Sequence, residues 1–176
     1  MMGIFSSVCS AIGSACSSIG SAISSACSSV VSGLASVITN SGPLISALAI
    51  AIPITGTLGK IVAALDVIGK ILGVQEPHDK IEDIGDRVIQ GQERGISPEN
   101  YATYQEYSAA IKSFELDPKR SGDLSKEEKQ IAGIMTQAWA FEEKFGTDGV
   151  GILTKTIESP DYFTGDRLAS FLDKVE

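Results

Sequence analysis

Asp117, Ser121, Asp123 and Glu128 bring carboxylate and hydroxyl oxygens into one twelve-residue stretch. Oxygen donors spaced in this way suit a hard divalent cation, because calcium takes six to eight oxygens. Lys119 stands among them and adds a positive charge to the same stretch. The same residues also read as helix punctuation. Ser125-Lys126-Glu127-Glu128 has the form of a capping box, and residues 118–122 have the composition of a turn. Other chemistry is sparse. His78 is the only histidine, and there is no phosphate loop, Cys-x-x-Cys pair or Gly-x-Ser-x-Gly elbow. The acid pairs Glu82-Asp83, Glu127-Glu128 and Glu142-Glu143 have the right type for general acid–base work. Neighbouring side chains on a helix diverge, so these pairs read as solvated surface. The residues point away from an enzyme and call for no cofactor, with calcium as the one candidate ion.

Residues 117–128 resemble the calcium loop of an EF-hand. Asp117 matches its first position, Ser121 the fifth, Gly122 the turn glycine, Leu124 the apolar eighth, Ser125 the ninth and Glu128 the bidentate twelfth. Asp123 falls at the seventh, where the family uses a backbone carbonyl. Lys119 departs from the pattern where Asp or Asn normally binds, and no second loop of this kind occurs. The resemblance implies calcium on Asp117, Ser121, Asp123 and Glu128. The capping reading implies that Glu128 reaches back to the Ser125 backbone instead.

The elements around this stretch read as short helices. Apolar residues at helical spacing predict helices over 77–94, 97–116 and 125–145, with Gly95 and Gly146 as stops. Ser159-Pro160 and Thr164-Gly165-Asp166 read as two further helix starts, and residues 150–157 are ambiguous between helix and strand. From Gln75 onward there are 12 Lys and Arg against 21 Asp and Glu, and all aromatics but Phe5. This acidic balance argues against nucleic acid, whose binding rests on Lys and Arg.

The first 59 residues contrast with that half: they contain no Asp, Glu, Lys, Arg or His. A soluble domain carries about a quarter charged residues, so this segment is expected to hide in a core, in an assembly or in lipid. Residues 7–39 repeat every eleven residues, with larger apolar side chains at 8, 12, 16, 19, 23, 27, 30 and 34. Steps of four, four and three are helical and give a nearly straight seam. Cys9, Cys16 and Cys27 lie on that seam, too far apart along one helix for a disulfide, and read as apolar filler. The other faces are Ser, Gly and Ala, small enough for close helix packing.

A helix over 4–39 would be about 54 Å long. Residues 40–43, with Pro43, read as a stop and turn; residues 44–52 form an apolar run ended by Pro53; a second amphipathic helix follows over 58–74. Thr57 is its expected cap and Asp66–Lys70 an i,i+4 pair. The fold class expected is all-α: a long serine-, glycine- and alanine-rich N-terminal helix and helical hairpin over 1–74, and a small acidic multi-helix domain over 75–176. The start of the chain has no charged region of the kind a signal peptide needs. Synthesis in a cytoplasm and export by a specialised route is the expectation.

An uncharged small-residue hairpin joined to an acidic helical domain resembles bacterial pore-forming toxins, both the pore domains of colicins and the glycine-zipper effectors of type VI secretion. The resemblance lies in the character of residues 1–74. It implies a hairpin shielded in storage, insertion into a target cell's inner membrane, loss of ion gradients, a homo-oligomer in the lipid bilayer, and an immunity protein or secretion-machine component as partner. The membrane helix residues would be Ile12, Gly13, Gly20, Ile23, Gly33, Pro43 and Pro53. Two other readings stand beside it. The repeat could build a structural, virion or filament assembly, or the serine-rich helix could simply pack across the acidic domain's apolar groove.

Overall fold

The structure is a computed structural model that describes residues 24–52, 55–163 and 166–167. Ile12, Gly13, Gly20, Ile23 and Pro53 lie outside the described residues. Eight α-helices occur among those described: α1 (Ser25–Val37), α2 (Ser41–Ala51), α3 (Thr55–Ile71), α4 (Ile81–Glu93), α5 (Tyr104–Lys112), α6 (Pro118–Asp123), α7 (Lys126–Phe145) and α8 (Thr147–Glu158). Two 3₁₀ turns, Pro98–Asn100 and Pro160–Tyr162, complete them, and no strand occurs among these residues. The all-helical class holds, and the ambiguous residues 150–157 lie within α8.

α7 is the centre. Every residue from Gln130 to Phe141 is buried, as befits a helix covered on all sides. It starts with the capping box that the sequence predicts and stops at Gly146, whose φ of 65° favours glycine. α4 lies against it so closely that the two backbones touch. A Cβ on Gly85 would fall on the Lys129 carbonyl, and one on Gly133 on the Ile81 carbonyl.

The uncharged segment completes this core. α1 packs on α7, α4 and the Pro98–Asn100 turn, α2 packs on α8, and α3 on α7 and α8. Cys27, Val30 and Leu34, the described part of the eleven-residue seam, are fully buried. One apolar cluster runs from Cys27 through Ile157, so residues on both sides of position 74 share a core.

Several local expectations are corrected. Of the helix expected over 4–39, the described part starts anew at Ser24, which is extended (ψ 157°) and caps α1 with its hydroxyl, 3.2 Å from the Cys27 N–H. The stop after α1 falls at Ile38–Asn40, and Pro43 belongs to the first turn of α2, where its missing N–H is not needed. The helix expected over 97–116 divides, because Thr103 starts a new one by accepting the Glu106 N–H. That division folds Tyr101 onto Tyr107, with ring centroids 5.6 Å apart. α3 begins at Thr55, ahead of the cap expected at Thr57.

Candidate functional site: the carboxylates that hold the uncharged segment

The first N–H groups of a helix lack intrahelical partners and carry partial positive charge, so they attract carboxylates. α1 and α2 have no acidic residue in their first turns. Their carboxylates come instead from the acidic half, about a hundred residues away in sequence.

Glu128 serves two helices at once. One carboxylate oxygen accepts the Ser24 N–H at 2.6 Å, and the other accepts the Ser125 N–H at 2.8 Å. The Ser125 hydroxyl accepts the Glu128 N–H at 3.2 Å, which closes the capping box. Beside it the buried Cys27 thiol donates to the Glu128 carbonyl at 3.7 Å. Glu142 holds the elbow between α1 and α2: its two oxygens accept the Thr39 N–H at 2.9 Å and the Asn40 N–H at 3.2 Å. Asn40 itself, at the N-cap of α2, makes no side-chain cap. Glu142 and Glu128 are about 21 Å apart along α7, about the length of α1. α1 therefore runs parallel to α7, with one glutamate at each end. Glu99 adds a weaker contact from the Ser36 hydroxyl at 3.2 Å. Glu143, next along α7, accepts the Tyr104 N–H at 2.6 Å at the start of α5.

Burial pushes the Glu128 carboxyl up, but the N–H and hydroxyl groups of Ser24 and Ser125 outweigh it and leave it below its ordinary value. Arg120 lies near enough to feel Glu128 but pairs chiefly with Glu93. A lowered folded-state value means that the carboxylate contributes stability above the ordinary carboxylate range, and that this is lost as pH falls through the lowered value. Urea unfolding at a series of pH values should show Glu128→Gln less stable than wild type above about pH 5. The gap should narrow below about pH 4. A gap that persists unchanged to pH 2 would mean that charge on Glu128 does not matter. Ser125→Ala should cost about 1 kcal/mol in the same assay, with or without millimolar calcium.

The calcium-like stretch has a different backbone from the loop it resembles. Residues 118–123 form α6, a helix and not an ion-wrapping loop. The Asp117 side chain caps it, accepting the Lys119 and Arg120 N–H groups at 2.9 and 3.3 Å. The Ser121 hydroxyl accepts from Gln90 at 3.0 Å, Asp123 is exposed, and both Glu128 oxygens are taken. Among the described residues no three His, Cys, Asp or Glu are placed to hold a metal ion.

α3 is held differently from α1 and α2. The buried Gln137 amide donates to the Leu65 carbonyl at 3.2 Å and to Gln75 at 2.8 Å. Gln75 in turn donates to Asp66 at 2.6 Å, and Asp66 accepts the Ile81 N–H at 3.0 Å. Asp66 thus spends itself on this network, where the sequence had suggested Lys70. Lys60, the first charge in the chain, pairs with Asp161 at 2.7 Å. Beside α3 and α8 lies an apolar groove of about 1290 Å³, lined by Ile68, Ile71, Leu72, Val150 and Phe163 and bounded by Arg167.

Magnitudes separate the roles of burial and charge. Eight Val, Leu and Ile side chains between Val30 and Ile52 are buried, each worth about 1.5–3 kcal/mol. A hydrogen bond to a charged group contributes about 1.5–3 kcal/mol. Burial therefore keeps the segment out of water, and the carboxylates fix where its helices begin. Gly33, expected at a tight helix contact, meets only Pro98 and Ser97, and a Cβ there would sit 3.4 Å from the Pro98 Cδ, an ordinary contact. Among the described glycines, a Cβ would fall on backbone at Gly85, Gly133 and Gly149, and on the Gln137 amide at Gly69.

No known family model matches the chain, and no curated protein or solved structure matches it.

Proposed function

We propose that this chain is a pore-forming antibacterial effector whose uncharged segment stays packed on the acidic helices until it meets a lipid bilayer. One observation carries the reading. Residues 24–52 belong to a 59-residue stretch without side-chain charge, and they rest on the body chiefly through buried apolar side chains and carboxylates that accept their backbone N–H groups. Moving such a segment into water exposes its apolar surface. Moving it into hydrocarbon does not, and hydrocarbon rejects charge, which the segment lacks. A bilayer is the partner that suits it. The acidic surface offers no electrostatic attraction to anionic lipid, so the attraction is hydrophobic.

No helix among the described residues is long and apolar enough to cross a membrane. α1 and α2, with 13 and 11 residues, span about 20 and 17 Å against a hydrocarbon core of about 30 Å. Insertion therefore includes a rearrangement of this segment, and a homo-oligomer would surround a pore lined by serine. Delivery by a specialised secretion system, action at a target cell's membrane and an immunity protein in the producing cell belong to the same reading. The assembly alternative draws on the repeat, but the third copy of that repeat is already consumed in this chain's own core.

The full-length protein added to phosphatidylethanolamine–phosphatidylglycerol vesicles holding a potassium gradient should collapse the membrane potential reported by a voltage-sensitive dye. A potential that survives every protein-to-lipid ratio would sink the proposal.

A further inference from the structure

The elbow between α1 and α2 is held by Glu142 at a place water can reach: Thr39 is exposed and Asn40 half-buried. Both oxygens of Glu142 are in use there, each on a different backbone N–H. Glu128 holds the other end of α1 with one oxygen, on the Ser24 N–H, while its other oxygen accepts the Ser125 N–H of its own helix, and it is buried. Beyond Ile52 the attachments change kind. α3 is tied by the buried Gln137–Gln75–Asp66 network and by the Lys60–Asp161 ion pair.

We propose that Glu142 and Glu128 form an autoinhibitory latch, and that residues 24–52 open as one unit hinged after Ile52 while α3 stays on the body. Opening begins at the exposed elbow, with Glu142 giving up Thr39 and Asn40, and spreads to the buried contact at Ser24. The inference rests on the reading of this segment as the part that leaves the body. It adds where the mobile unit ends and which two side chains restrain it.

Glutamine tests the latch with little change of shape, because it offers one acceptor oxygen where the carboxylate offers two. Amide hydrogen exchange, followed by mass spectrometry on the full-length protein near neutral pH and without lipid, reads opening directly. In Glu142→Gln, amides of residues 25–51 should exchange about tenfold faster than in wild type. Residues 56–71, 81–93 and 130–141 should keep wild-type rates. Glu143→Gln makes the same charge change one residue along α7, at the start of α5, and should leave residues 25–51 unchanged. Glu128→Gln should accelerate residues 25–51 more than Ser125→Ala, which weakens the capping box but leaves the Ser24 contact.

Unchanged exchange over 25–51 in Glu142→Gln would overturn the latch. So would equal acceleration of all helices, since the segment would then open only with global unfolding. Faster exchange that included residues 56–71 would overturn the hinge after Ile52. The measurement contains no membrane, so it stands apart from the vesicle assay. Faster opening without any ion flux would leave the latch in place and remove the membrane function.

Discussion

Gly133→Ala should cost about 3 kcal/mol or more in urea unfolding and leave part of the protein unfolded at rest. The added methyl would lie on the carbonyl of Ile81 at the start of α4. A flexible side chain could rotate away, but a backbone carbonyl moves only with its helix, and overpacking of this kind costs about 1–3 kcal/mol or more. The gain in helix propensity, about 1 kcal/mol, does not offset it. Gly85→Ala meets the Lys129 carbonyl and should behave alike. Gly33→Ala is the matched control. It gains the propensity and meets Pro98 and Ser97 side-chain atoms at ordinary contact distance, so its stability should be unchanged or higher. Equal stability for Gly133→Ala and Gly33→Ala would show that α4 and α7 do not approach as closely as described.

Ile12→Arg and Ile23→Arg should each abolish ion flux in the vesicle assay. Both positions fall on the apolar stripe of the repeat. An arginine at the middle of a bilayer helix costs about 2.5–3.5 kcal/mol on the most lenient scale, and an assembly of several copies multiplies that cost. Ser14→Arg, off the stripe, should be milder in effect. Two stripe variants as active as wild type would remove the N-terminal repeat from the mechanism.

Much of the helical layout was legible in the sequence, because it rests on local signals. Ser125 and Glu128 announce the start of α7, and Gly146 its end; the seam residues Cys27, Val30 and Leu34 announce the buried face of α1. What escaped depends on partners far along the chain. Glu142 and Glu143 read as solvated surface, since nothing near them in sequence needs a carboxylate. For Glu142 the signal lay at the other end of its bonds, at the start of α2, which has no acid in its first turn, just as α1, held by Glu128 at Ser24, has none. Close approach in this fold was likewise hidden from local spacing, because it requires two backbones to meet, and Gly85 and Gly133 meet across 48 positions. In the calcium-like stretch, Pro118 stands at the first position of a helix and starts α6, a local start signal that the spacing of oxygen donors did not show.

The trans caps also set an order of events during synthesis. Ser24 waits for Glu128 across 104 residues, and Thr39 waits for Glu142 across 103. At about 5–20 residues per second, the uncharged segment emerges from the ribosome roughly 5–20 seconds before the side chains that dock it. During that interval its apolar seam is uncovered and its helix starts lack their carboxylates. On the function proposed above, every nascent chain therefore presents its membrane-directed segment before the carboxylates that dock it have been made. Ribosome-bound chaperones or a very brief pause-free translation of α4 to α7 would protect it, and on the proposed function slowed elongation through residues 81–142 should be more toxic to the producer than slowed elongation after Phe145.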